Sequence, residues 1–155
     1  MINVSKEFRN AMKTRTDFKE NAKITFADGT TLELGEGDFT VSGNSLVDGA
    51  GSSSFPLGTA IEKVVEIELM NDDDHLSSYD FYGAIVNLYL TFQLSETVEK
   101  INYGTFTVVT PETYGSTVVI QAVDDMYKAD KVYTTALSFP VQLGNAVREA
   151  CQTCG

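Results

Sequence analysis

From Val86 to Leu94 the chain alternates without a break. Val86, Leu88, Leu90, Phe92 and Leu94 are large and apolar, and Asn87, Tyr89, Thr91 and Gln93 stand between them. Strand side chains point alternately to two faces, so this run places one hydrophobic row on one side. Such a strand belongs to an antiparallel sheet with one buried face. Nothing else in the chain is as regular, and the neighbouring signals are of the same kind. The fold class that follows is mainly β with short helices (α+β), antiparallel and barrel-like.

The hairpin before this strand can be read to the register. Ala27-Asp28-Gly29 separates Lys-Ile-Thr-Phe from Thr-Thr-Leu-Glu-Leu. A two-residue Asp28-Gly29 loop would set Ile24 opposite Glu33 and mix the faces. A three-residue loop pairs Ile24 with Leu32 and Ala22 with Leu34, which predicts a type I turn with Gly29 left-handed in a G1 bulge. Further strands are expected at 65–69, 103–108 and 118–122, the last two joined by a loop holding Pro111 and Gly115. Residues 35–54, rich in Gly, Ser, Asp and Asn, read as an irregular, mobile connection with at most a short strand near Phe39 to Val41.

Helical spacing appears twice. Val4, Phe8, Ala11 and Met12 predict a short helix over about 4–13, capped by Asn3 or Ser5. Its Phe8 face needs a sheet or a second subunit to pack on, because three turns alone are marginal in water. Leu143, Ala146, Val147, Ala150 and Cys151 predict a final helix beyond Pro140, with Gly155 as its C-cap. The expected division is a β domain over 1–135 and a linker and helix over 136–155 that begin a following domain.

A formal charge of −11, from 11 basic and 22 acidic residues, opposes binding to nucleic acid, whose affinity rests on Lys and Arg neutralising phosphates. No apolar run nears the ~20 residues of a membrane-spanning helix, and the N-terminus lacks a signal-peptide layout, which points to synthesis in the cytoplasm.

Candidate chemistry is sparse. Asp72, Asp73, Asp74 and His75 are the most tempting metal ligands, but they lack the alternation, central Gly and distant Glu of a calcium loop, and a solvated acidic turn accounts for them. Asp124 and Asp125 could act as acid and base, yet adjacent residues diverge, and capping of a helical turn explains the pair. Cys151 and Cys154 form a lone Cys-x-x-C without the further ligands a zinc site needs or the βαβ context of a redox motif. A Cys151–His75 dyad would need a tertiary contact that the sequence does not announce. Gly43, Gly49 and Gly51 precede no Gly-Lys-Ser ending, so a phosphate loop is not indicated. The reading is a non-enzyme with no catalytic, metal or cofactor residues and no cofactor.

Four motifs in order carry a resemblance: Asn3-Val4-Ser5-Lys6-Glu7-Phe8 before an Asp-Gly hairpin; Ser54-Phe55-Pro56-Leu57-Gly58-Thr59-Ala60 leading to an acidic alternating strand and Asn71; Tyr103-Gly104-Thr105-Phe106; and Gln121-Ala122-Val123-Asp124-Asp125-Met126-Tyr127-Lys128. Together the chain resembles the N-terminal region of tail-tip or baseplate hub proteins of phages and prophages of Gram-positive bacteria. The resemblance implies a virion structural protein made in the host cytoplasm and placed in the virion tail. It implies a homotrimeric ring of barrel-like domains that joins tail tube to tip beside the distal tail protein and tape measure. In such a ring an acidic lumen would repel passing DNA. The competing class is a tail-tip adhesin or carbohydrate-binding module, for which Tyr79, Phe81 and Tyr82 are the compact aromatic candidates.

Overall fold

The computed structural model describes residues 4–14, 17–48, 62–94, 96–129 and 134–154. The chain is mainly antiparallel β with two short α-helices. The strands are β1 (Phe18–Thr25), β2 (Thr31–Leu34), β3 (Ser45–Asp48), β4 (Lys63–Met70), β5 (Ile85–Gln93), β6 (Val98–Tyr114) and β7 (Thr117–Val123). They form one seven-stranded sheet in the order β2-β1-β5-β6-β7-β4-β3. The end strands β2 and β3 share no ladder, so the sheet is not closed into a barrel.

The alternating run is β5, and its apolar row faces inward: Val86, Leu90, Phe92 and Leu94 are buried. The hairpin takes the deduced register, with Ala22 opposite Leu34 and Ile24 opposite Leu32. Gly29 has φ +84°, its N–H donates to the Phe26 carbonyl at 3.0 Å, and Phe26 N–H donates to Thr30 O at 2.9 Å, which closes the type I turn and bulge. Asp28 completes it by accepting from the Thr30 amide at 2.8 Å and hydroxyl at 2.7 Å.

β6 organises the sheet. Its residues Val98 to Thr107 pair with β5, and Thr107 to Tyr114 pair with β7. One 17-residue strand therefore serves two half-sheets, a device by which strands turn corners through bulges. The first bulge falls where Leu88 and Tyr89 oppose Gly104 and Asn102, and it needs glycine. Gly104 has φ +155°, and a Cβ there would lie 3.2 Å from the Phe106 ring. The expected loop at Pro111 is instead strand, and only Gly115-Ser116 turn the chain. Proline is tolerated because the β5 ladder ends at Thr107, so on that side of β6 a missing N–H at Pro111 removes no rung.

The two half-sheets face each other across one core. Ile24 and Val86 from one half, Ile67, Leu69, Val118 and Ile120 from the other, and Phe106 between them belong to a single buried cluster. Each such side chain contributes roughly 1.5–3 kcal/mol on burial. A second cluster lies at the far end of β5, where Phe8 of α1 (Lys6–Ala11) meets Phe92 and Leu94.

Two further expectations need correction. α1 is shorter than 4–13: Ser5 caps it, and beyond Ala11 the chain goes on in tighter turns, with Lys13 N–H donating to Asn10 O at 3.2 Å and Thr14 N–H to Ala11 O at 3.0 Å. Within 35–54, β3 is a strand where composition predicts irregular chain; pairing of Ser45–Asp48 with Lys63–Glu66 overrides its turn-rich surroundings. Near Phe39 to Val41, where at most a short strand is expected, the chain makes a single bridge, Phe39 to Leu69, within that expectation. The Asn3 cap, the 54–60 motif, the mobile reading of 49–54 and the Gly155 cap lie outside the described residues. The final helix is α2 (Leu143–Cys154). Among the described residues no helix is long and apolar enough to cross a membrane.

Candidate functional site

The acidic turn grows from one buried polar residue. β4 ends at Met70, and Asn71, 2% exposed, follows. Its backbone N–H donates to Ser116 O at 2.8 Å, and its side-chain amide donates to Gly115 O at 2.9 Å and to the Ser77 hydroxyl at 3.3 Å. Its Oδ1 accepts from the Leu76 N–H at 2.8 Å. Asn71 thus clamps the turn to the β6–β7 hairpin while Leu76 plugs the core. A buried amide satisfied on both ends specifies a conformation without exposing reactive groups.

The residues around it do not converge. Asp72, Asp73, Asp74 and His75 are all exposed. Asp73 pairs with His75, and the hydrogen bond from that ring holds the Asp73 carboxyl below its ordinary value. Asp74, at φ 60°, accepts instead from Ser77. No group of three or more His, Cys, Asp or Glu that could hold a metal ion occurs among the described residues.

Asp124 and Asp125 also part ways. Asp124 Oδ1 accepts from Met126 N–H at 3.1 Å and caps the 3₁₀ turn Asp125–Ala129, as its sequence position predicts. Asp125 pairs with Lys128 at 2.7 Å, a hydrogen bond that raises the Lys128 ammonium above its ordinary pKa. Cys151 is an exposed free thiol on α2, the helix that also holds Cys154. Among the described residues nothing joins Cys151 to His75. Gly43 lies against Glu68, onto which a Cβ there would fall, a carboxylate neighbourhood unsuited to phosphate. Gly49 and Gly51 lie outside the described residues.

The aromatic candidates do not form a platform. Phe81 is fully buried, Tyr79 stacks on Phe26 with centroids 4.8 Å apart, and Tyr82 alone is exposed, at 67%. The expectation of three compact exposed rings is corrected by this burial: Phe26, Tyr79 and Phe81 use their faces on one another.

Two features escape a reading of the sequence. Glu99 of β6 accepts from the backbone N–H of Ser5 at 2.7 Å and from its hydroxyl, tying the N-cap of α1 to the sheet. The second is an apolar groove of about 120 Å³ between the half-sheets, lined by Leu88 and Leu90 on one side and Leu46, Val65 and Ile67 on the other. Only the alternation of these strands hints at it. No protein-family profile, curated protein or solved structure matches the chain.

Proposed function

We propose that this chain is a structural component of a phage or prophage tail tip or baseplate hub, a non-catalytic domain that assembles as a homotrimeric ring joining tail tube to tip. Its neighbours would be the distal tail protein and the tape measure, and its place the virion tail. The observation that carries the reading is β6, one strand serving two half-sheets around a single core. In the ring this sheet would form part of a barrel-like wall. Asp73, Asp74 and His75 are engaged within the turn clamped by Asn71, and Asp124 in capping, which supports scaffold over enzyme. The four ordered motifs supply the remaining support. Burial of Phe81 weighs against the carbohydrate-binding alternative.

Negative-stain electron microscopy of the purified chain tests the proposal. Three-fold rings with a central opening are the expected particles; a field of single small globules at every concentration contradicts it.

A further inference from the structure

β1 and β2 differ in length, and the difference leaves an open edge. β5 pairs with all of β1, from Phe18 to Thr25, but β2 covers only Ala22 to Thr25. At Gly35 the chain turns away, with Asp38 N–H donating to Gly35 O at 3.0 Å, and crosses to β4, where Thr40 N–H donates to Glu68 O at 2.9 Å. No described strand pairs with Phe18 to Asn21 on the side that β2 vacates. The exposed stretch runs about 13 Å. Unpaired edges of this kind are templates for an added strand.

The vacated place is also a groove. A hollow of about 330 Å³ beside Phe18, Glu36, Val41 and Asn44 adjoins the apolar groove between the half-sheets, sharing Glu20, Phe39 and Asn44 with it. The inner groove has an aliphatic floor, two carboxylates, Glu20 and Glu66, and no basic residue among its lining. Glu20 shares the inward face with buried Ala22 and Ile24 and stands opposite Leu90. It has no ion-pair partner among the described residues.

We propose that a protein partner adds an extended segment to the open half of β1, with a large apolar residue opposite Phe18 and one Lys or Arg opposite Glu20. Main-chain hydrogen bonds to Phe18 and Glu20, whose backbone groups face the open side while those of Lys19 and Asn21 face β5, would supply affinity, and the inward row specificity. An inward carboxylate deters indiscriminate pairing at an edge, so Glu20 selects for a segment that brings the opposite charge, since cross-strand charge pairs favour opposites and penalise likes. This inference stands on the edge and the groove and is independent of ring assembly.

The test uses the full chain and a fluorescein-labelled heptapeptide, Thr-Lys-Thr-Val-Thr-Val-Thr, whose Lys and first Val stand opposite Glu20 and Phe18 when it runs antiparallel to β1, clear of the Ala22–Thr25 stretch that β2 covers, beside a counterpart with Glu in place of Lys. The Lys peptide should bind saturably and slow amide exchange at Phe18 and Glu20 by about tenfold, while the Glu peptide binds about tenfold more weakly. Glu20→Lys should reverse that order. Absence of saturable binding, binding without protection of Phe18 and Glu20, or no change of preference in a folded Glu20→Lys chain overturns the proposal. So does exchange in the free wild-type chain as slow at Phe18 and Glu20 as at Ala22 and Ile24, which would mean the edge is already covered; this readout needs no variant.

Discussion

Helix α1, six residues long, is held on the sheet, whereas α2, twelve residues long, keeps much of its apolar stripe in solvent. Both show hydrophobes at helical spacing. Phe8 of α1 is buried and meets the edge of Phe92 with centroids 5.4 Å apart. In α2, Leu143 is 79% and Val147 54% exposed, and the helix is tied through Glu149, which accepts from the Thr135 hydroxyl at 2.6 Å and the Ala136 N–H at 3.1 Å. Periodicity creates a helix; a matching row on another element decides whether it docks. For α1 that row is the end of β5, and Glu99 adds an acceptor for the N-cap.

The sharpest way to break this contrast is Phe8→Ala. Loss of a buried ring leaves a cavity, and urea unfolding should show a loss of about 3 kcal/mol; a loss below about 1 kcal/mol would mean that α1 is not docked. Ser5→Ala removes the acceptor for Phe8 N–H and a donor to Glu99, and should cost about 1 kcal/mol in the same assay. Leu143→Ser and Val147→Ser should each change stability by no more than about 0.5 kcal/mol; a larger loss would show that α2 is covered in solution. The smallest effect is expected far from both helices, at Asp28. Hydrogen bonds from Thr30 depress its carboxyl pKa. The stabilisation is therefore complete above the ordinary carboxylate range and is lost as pH falls through the lowered value. Asp28→Asn should flatten that acid-side slope in urea melts run from neutral to acidic pH, with α1 and α2 unaffected.

How much of the molecule is legible in the sequence follows the range of the interactions involved. The alternation of β5 and the loop length at Ala27–Gly29 are local, so the buried row and the register both follow from the residues alone. β3 is short and set among turn formers, and it exists because β4 offers an edge. β6 runs through Pro111 because its pairing with β5 has ended there, a fact about topology rather than propensity. At the candidate site, the cap by Asp124 is local and readable. The clamp by Asn71 is not, because Gly115, its partner, lies 44 residues away. The burial of Phe81 is hidden for the same reason: its ring partner is Phe26, with three strands between them in sequence.

The central claim is that this curled sheet exists to join copies of itself into a ring. Native mass spectrometry of the purified chain across a concentration series measures that directly. The account predicts a species of three times the chain mass that grows with concentration; a monomer throughout, under conditions where the chain is folded, would contradict it.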